Sequence, residues 1–326
     1  MNTQLEKKCN DFSEIMETLK KKYPSMDPKA AGFMSFLFTE EGKGPDREKL
    51  DDAQNGLNIE DCSFDMPGEI LKYVLIAKAA LSGDPAGFYD SMGEINSKIR
   101  AGKLFENGNE LLAAMMLAEA GDKIDADKEA KRIAQILKEM NKDHPILTNR
   151  NDTVSATLLS LIYPDKTPRQ IADEVNACYK ELRKKLVVNT ATMMDMTQYM
   201  GEAPVVGVDV SDYLDNEIQA AAAIAAAEKG EPEEKCGKIK DLLDGLGKKD
   251  MVPDFNNELS LVSALAALPE SAEEIAADLA EADKYLAGKA GSWDASALML
   301  LAAGKDKFPA ASLLVPAVAL LLAEAE

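Results

Sequence analysis

The sequence predicts an all-α protein made of stacked antiparallel helical hairpins. Such hairpins form an α-α superhelix, and the sequence does not decide whether the superhelix closes toward an α/α ring. The apolar residues are mainly Ala, Leu and Met, and aromatic residues make up only 6% of the chain, a composition that favours helices over strands. Apolar side chains also recur at intervals of three and four residues. In addition, Ala-rich and charged helices alternate along the chain, which is typical of helical repeats.

The N-terminal helices are predicted from apolar spacing and from start and stop signals. The apolar face of the first helix consists of Leu5, Cys9, Phe12, Met16, Leu19 and Tyr23. Asp27-Pro28 and Asp84-Pro85 each combine an N-cap residue with a first-turn proline, so a helix is expected to begin at each. Another helix is predicted over residues 69–81, whereas residues 46–68 are interpreted as mixed, turn-rich chain.

From residue 104 onward, a short apolar loop followed by Asn or Asp recurs before helices of small and apolar residues. The helices start at Asn or Asp residues 109, 151, 189, 257 and 294, so the intervals are 42, 38, 68 and 37 residues. The long interval holds a further helix over residues 216–227 that is nearly pure Ala. A period near 40 residues indicates that each unit is a pair of helices that buries itself against the next pair.

Amphipathic, charged helices lie between the Ala-rich ones. Two of them are expected to begin with a capping box, formed by Thr167 with Gln170 and by Ser271 with Glu274. Their apolar residues occupy one face, so the charged face is expected to meet water. The Ala-rich helices are therefore predicted to be the inner layer and the charged helices the outer layer.

The whole chain, residues 1–326, is predicted to be a single helical-repeat domain. It has N-terminal helices over 1–100 and a repeat region over 101–326, with a weak seam near 202–212, where Pro204 and Gly207 interrupt the helical pattern. The last helix, residues 310–322, is apolar nearly all round and must be covered. Ring closure would cover it, and so would a homodimer formed through this C-terminal helix.

The charge balance excludes two classes of partner. The chain has 37 basic and 57 acidic residues, a net charge of −20, which leaves no cationic footprint for nucleic acid and repels anionic membrane surfaces. Residues 308–322 carry no charge, but this stretch is shorter than the ~20 residues that a spanning helix needs. The sequence therefore predicts no nucleic-acid partner and no membrane partner.

The cysteines indicate a reducing compartment. Cys9, Cys62, Cys178 and Cys236 are widely spaced and form no CxxC motif, and all but Cys62 fall on the apolar face of a predicted helix. Buried, reduced thiols are typical of cytoplasmic proteins. Met1 to Lys22 is charged throughout and does not resemble a signal peptide.

No residue pattern predicts catalysis, a metal site or a cofactor. The one histidine, His144, lies after a predicted helix with no nucleophile indicated beside it. Asp125, Asp127 and Glu129 have the opening rhythm of a calcium loop, but Ala130 stands where glycine is required. The sequence contains no phosphate-binding glycine motif.

The recurrent loops provide the candidate binding residues. If the inner helices stack, their starts lie along one rim, and loops on one face of a repeat protein often form its binding surface. The competing interpretation is simple helix capping. The rim candidates are Asn109, Asn151, Asp152, Asn189, Asn257, Glu258, Trp293 and Asp294.

One of these loops carries a family resemblance. Residues 146–153, Ile-Leu-Thr-Asn-Arg-Asn-Asp-Thr, are followed by the small-residue helix VSATLLSLI. This combination resembles an uncharacterised bacterial family, the domain-of-unknown-function family 4003, and the similarity is expected over most of the chain. The resemblance implies a helical bacterial protein, and it implies no activity and no catalytic residues.

The leading functional hypothesis is a non-enzymatic module that binds a protein or peptide on its loop rim or concave face, because helical repeats commonly present extended surfaces. The alternative is an enzyme or a small hydrophobic-ligand binder with a central pocket, which the fifteen methionines could line. The scarcity of tryptophan argues against a sugar-processing ring enzyme, since such pockets are rich in aromatic residues.

Overall fold

The computed structural model describes residues 1, 3–57, 69–100, 107–121, 124–145, 147–186, 210–249, 251, 258–289 and 295–303, with the backbone alone at 210–214, 258 and 295–297. Over these residues the chain forms fourteen packed α-helices and no strand. The predicted all-α fold is therefore confirmed.

The first seven helices are α1 (Thr3–Lys22), α2 (Pro28–Glu40), α3 (Arg47–Leu57), α4 (Glu69–Ser82), α5 (Pro85–Arg100), α6 (Gly108–Ala120) and α7 (Ala126–Asp143). The remaining seven are α8 (Thr153–Ile162), α9 (Pro168–Leu186), α10 (Val210–Ala226), α11 (Pro232–Gly247), α12 (Glu258–Ala266), α13 (Ala272–Ala287) and α14 (Ala295–Ala303).

The helices belong to two compact units. Unit 1 comprises residues 1–132 and 277–326, and unit 2 comprises residues 133–276. The predicted seam at 202–212 lies outside the described residues apart from the first turn of α10. The prediction of one domain over 1–326 stays a prediction.

Unit 1 is organised around α2. Every residue of α2 from Ala30 to Thr39 is buried, and α1, α4 and α14 pack against it. Helix α4 is buried almost as completely, and its Lys78 is 6% exposed yet paired with Glu119 at 2.6 Å. This pair offsets the cost of removing the Lys78 ammonium from water.

Unit 2 separates buried helices from amphipathic ones. The described side chains of α8, α10 and α12 are buried on nearly all sides, whereas α9 and α11 bury one face only. Helix α10 packs against α8, α9, α11 and α12, and α11 packs against α9 and α12. The predicted difference between enclosed small-residue helices and partly exposed charged helices is thus present in this unit.

The helix starts predicted from capping residues are confirmed, whereas the helix predicted over 216–227 begins earlier, at Val210. Asp27 accepts a hydrogen bond from the Lys29 amide at 2.7 Å, and Asp84 accepts one from the Gly87 amide at 3.1 Å. Both capping boxes are formed: the Thr167 amide donates to Gln170 Oε1 at 2.8 Å, and the Ser271 amide donates to Glu274 Oε2 at 2.9 Å. These side chains satisfy amides that helix geometry leaves unpaired.

The interpretation of residues 46–68 as turn-rich was wrong for its described part, because Arg47–Leu57 is a helix. Asp46 caps it, accepting from the Glu48 amide at 2.9 Å. Gly56 lies inside the helix for a packing reason: a Cβ there would stand 3.1 Å from the Tyr89 ring. Here glycine allows close approach of an aromatic ring and does not break the helix.

Several predictions concern parts of the chain outside the described residues. These are the C-terminal helix at 310–322, with the ring closure or homodimer that it suggested, the uncharged stretch at 308–322, and Cys62. None of the described helices is both long and apolar enough to cross a membrane. Cys9, Cys178 and Cys236 are each fully buried free thiols, as predicted.

Candidate functional site

The loop before α8, residues 147–152, contains two of the predicted rim positions. It ends in a short 3-10 turn over Arg150–Asp152. Asn149 Oδ1 accepts from the Asn151 amide at 2.8 Å, and Asp152 Oδ2 accepts from the Asn149 amide at 2.8 Å. Because Asn and Asp side chains bond readily to nearby backbone amides, this sequence folds the loop onto itself.

Two helices of unit 2 brace this loop from outside. The Asn141 amide group of α7 donates to the Thr148 carbonyl at 3.0 Å. Gln219 Nε2 of α10 donates to Thr148 Oγ1 at 2.9 Å and to Asp152 Oδ1 at 3.4 Å. The loop is therefore held by side chains from two helices, of which α10 lies far away in sequence.

The Asp152 carboxyl group is enclosed by this network. Burial raises its pKa to about 6, although the hydrogen bonds from the Asn149 and Asp152 amides act in the opposite direction. Gln219 is buried, and its Oε1 has no hydrogen-bond partner among the described residues. A protonated Asp152 could donate a hydrogen bond, whereas the ionised form can only accept.

The neighbouring helices run in the same direction. Gln219 of α10 contacts the loop that leads into α8, and just after the other end of α8 the Tyr163 hydroxyl donates to the carbonyls of Ala226 and Ala227 at 3.0 Å each. Since the order of contacts is the same along both helices, α8 and α10 are parallel. In a stack of antiparallel hairpins, every second helix runs in the same direction, as α8 and α10 do.

The predicted rim residues lie in different environments. Asn151 is exposed and Asp152 is half-buried, whereas Asn109 is 2% exposed and lies in unit 1. Glu258 begins α12, but its side chain is outside the described part of the chain. Asn189, Asn257, Trp293 and Asp294 are outside it entirely. The continuous rim therefore stays a prediction.

Sequence reasoning missed the residues that cap α6 and the 3-10 turn before α8. Asn107 caps α6 and accepts from the Asn109 amide at 2.9 Å, just as Asn149 accepts from the Asn151 amide at 2.8 Å. In each case the cap is the first asparagine of an Asn-x-Asn pair, two residues before the predicted start. The repeated pair was the signal available in the sequence.

The remaining chemical candidates have structural partners. His144 is half-buried, its Nε2 lies 3.1 Å from Asn176 Oδ1, and its ring packs 4.4 Å from that of Tyr179. Asp125 caps α7 by accepting from the Asp127 and Lys128 amides at 3.1 Å. Within the described residues, no group of three or more His, Cys, Asp or Glu side chains could hold a metal ion.

No curated protein and no solved structure matches the chain. The model of the family described as Protein of unknown function (DUF4003) matches residues 74–200. This segment is shorter than the extent expected from the sequence, but it includes the braced loop that carries the resemblance. The predicted resemblance is confirmed: residues 74–200 of the chain are similar to the domain-of-unknown-function family 4003.

Proposed function

We propose that the chain is a non-enzymatic module that binds a protein or peptide, and that the braced loop at residues 147–152 is part of its contact surface. One observation carries the proposal: a loop that exposes Asn149 and Asn151 is braced by side chains from both α7 and α10. A loop that is already ordered loses little conformational entropy on binding.

The loop has suitable chemistry for a peptide partner. Asn149 and Asn151 are exposed, and an asparagine amide can both donate and accept hydrogen bonds, as a peptide backbone does. Asn149 also shapes the loop, so Asn151 is the better position at which to test contact. The parallel arrangement of α8 and α10 supports the further proposal that helical hairpins stack as repeats, with loops at one end.

The proposed setting is the cytoplasm of a bacterium. Three fully buried, reduced thiols support a reducing compartment, and the family resemblance implies a bacterial source. The alternative function, a hydrophobic-ligand binder, would use methionines in a cavity. Eight of the fifteen methionines are buried in the core of the described residues, which is ordinary core packing.

The test is site-specific photo-crosslinking in native lysate. A photoreactive residue replaces Asn151 in the full chain, and a matched control carries it at Lys180, an exposed position on α9 of the same unit. We expect one protein to be crosslinked from position 151 and not from position 180, and the substitution Asn151→Arg to abolish its co-purification. If the two positions give the same products, or no protein at all, the proposal is wrong. Recovery of a small molecule instead would favour the alternative.

A further inference from the structure

Two thiol groups in unit 2 are in contact with each other, separately from the braced loop. Cys178 lies in α9 and Cys236 lies in α11, and these two helices pack against each other. The Cys236 thiol donates to the Cys178 carbonyl at 3.5 Å, and the two thiol groups also share a hydrogen bond. The residues are 58 positions apart in the sequence, so only helix packing brings the sulfurs together.

The pair differs chemically from the other buried thiol. Cys9 in unit 1 behaves as an ordinary apolar core residue, and burial raises its pKa to about 11. Cys178 is also fully buried, yet its pKa is lowered, because the hydrogen bond from Cys236 and the positive charge of Lys235 outweigh the effect of burial. The same hydrogen bond raises the pKa of Cys236. Cys178 is therefore the thiol that ionises first, and the thiolate is the reactive form of cysteine.

The two residues are close enough for a covalent bond between their sulfurs. A carbonyl oxygen lies about 2.4 Å from its own α-carbon, so the Cys236 sulfur is within about 6 Å of the Cys178 α-carbon. A disulfide bond requires the sulfurs to approach to about 2.0 Å. Rotation about the Cα–Cβ bonds of hydrogen-bonded thiols can supply this approach while α9 and α11 stay packed.

We propose that Cys178 and Cys236 form a reversible disulfide bond when hydrogen peroxide oxidises the protein. The Cys178 thiolate attacks one peroxide oxygen and the O–O bond breaks, so that hydroxide leaves and takes up the proton that Cys178 released. The Cys236 sulfur then attacks the sulfenic acid of Cys178, loses its own proton and displaces the hydroxyl group as water. Two thiols and one peroxide give one disulfide and two water molecules, and a dithiol reductant reverses the oxidation.

Burial slows this reaction and also directs its outcome. Both sulfurs are fully buried, so peroxide reaches Cys178 only when the surrounding helices open locally. When the helices close again, the Cys236 thiol lies against the sulfenic acid and excludes further peroxide. The pair is therefore expected to stop at the disulfide, whereas a sulfenic acid without a neighbouring thiol proceeds to sulfinic acid. Disulfides in cytoplasmic proteins are usually transient bonds of this kind.

The experiment is peptide mapping of the full chain after treatment with hydrogen peroxide. The remaining thiols are blocked with iodoacetamide in urea, and the chain is digested without reductant. We expect a linked pair of peptides that joins position 178 to position 236, and we expect dithiothreitol to separate it. Equal yields of links to Cys9 or Cys62, links formed only between two chains, or no link under conditions that oxidise the urea-unfolded chain would each overturn the proposal.

The oxidised protein should also be the more stable form. The bond closes a segment of chain that contains α10, and a link between such distant residues restricts the unfolded chain. We expect oxidation to raise the thermal midpoint and dithiothreitol to restore the original value. A lower midpoint after oxidation would show that the bond distorts the core, and would overturn the proposal.

Matched variants test the role of each sulfur. Cys236→Ser removes the second thiol, so peroxide should convert Cys178 to sulfinic acid at least about 10-fold more often than in the wild type. Cys9→Ser removes an equally buried thiol from unit 1, and should change the yield of the 178–236 link by less than about 2-fold. Circular dichroism checks that both variants fold, and the map of the wild-type protein decides the proposal if one of them does not. Equal oxidation of Cys178 in the two variants would show that Cys236 is not its partner.

Discussion

At the residue scale, Asp152 combines a structural role with an unusual ionisation. Its side chain closes the capping box of the 3-10 turn that precedes α8, and burial raises its pKa from 3.8 to about 6. A carboxyl group whose pKa is raised by folding destabilises the folded state when it is ionised. The braced loop is therefore expected to become more stable as the pH falls through 6.

This expectation can be measured with Asp152→Asn. Between pH 7 and pH 5, the change in Asp152 ionisation should stabilise the wild-type protein by about 1 kcal/mol. Asparagine keeps the oxygen that accepts from the Asn149 amide but cannot ionise, so this contribution should be absent from the variant. Chemical denaturation at the two pH values measures the difference between the proteins.

An exposed carboxyl group provides the control for this measurement. Asp165 is in the same unit and exposed, so Asp165→Asn should retain the pH dependence of the wild type. If Asp152→Asn retains it as well, the Asp152 carboxyl group is not the origin of the effect.

At the element scale, helix starts were the most predictable features of this chain. The two residues of a capping box are three positions apart, so the hydrogen bonds between them can be predicted from the neighbouring sequence alone. Thr167 and Gln170 form one at the start of α9, and Thr167 Oγ1 accepts from the Gln170 amide at 3.3 Å. The same local rule predicted the box at Ser271 and Glu274.

Loss of this cap should be measurable as a loss of stability. Thr167→Ala removes the oxygen that accepts from the Gln170 amide, and should lower the free energy of unfolding by about 1 kcal/mol. Thr167→Ser retains the hydroxyl group and should stay within about 0.5 kcal/mol of the wild type. Urea unfolding of the three proteins tests this, and equal stability of the alanine and serine variants would show that the capping bond contributes nothing.

Gly56 shows why a local rule failed in α3. Replacing a glycine inside a helix with alanine normally stabilises by about 1 kcal/mol. At Gly56 the new methyl group would lie 3.1 Å from the Tyr89 ring. Tyr89 is 3% exposed and its hydroxyl is bonded to the Ala53 carbonyl at 3.0 Å, so the ring has little freedom to move.

We therefore expect Gly56→Ala to show none of the usual gain and to lower the thermal midpoint. Gly44 is in the same unit, and a Cβ added there would meet no described atom within 4 Å. Gly44→Ala should therefore be neutral or stabilising by up to about 1 kcal/mol. Differential scanning calorimetry measures the thermal midpoints of both variants. A higher midpoint for Gly56→Ala than for Gly44→Ala would contradict the packing explanation.

At the scale of the whole molecule, the reactivity of three buried thiols tests how tightly the cores of both units are packed. Cys9 is buried in unit 1, and burial raises its pKa to about 11. Cys178 and Cys236 are buried in unit 2, where Cys236 Sγ donates to the Cys178 carbonyl at 3.5 Å. An alkylating reagent reaches these sulfurs only when the surrounding helices open.

Alkylation of the native protein should therefore be slow at all three sites. We expect iodoacetamide to modify them about 100-fold more slowly than in urea-unfolded protein. Cys178 and Cys236 should react at similar rates, because α9 and α11 pack against each other. Mass spectrometry of the modified peptides measures each rate, and rapid modification of any of the three in the native protein would contradict the described core.

The candidate site was only partly predictable. Asn151 and Asp152 were identified from their place before an Ala-rich helix, but Asn141 and Gln219, which hold the loop, were not. Gln219 lies 67 residues beyond Asp152, and no local pattern links such distant positions.

The sequence alone determined the helical class, the capped starts of several helices and the burial of three cysteines. These properties depend on spacings of three and four residues and on capping side chains next to the helix they cap, so neighbouring positions suffice to specify them. Only the tertiary structure decided that α8 and α10 run parallel, that Gly56 accommodates Tyr89, and that Asp152 is enclosed. Each of these depends on the approach of helices that are distant along the chain, and packing energy specifies that approach only when the whole core is assembled.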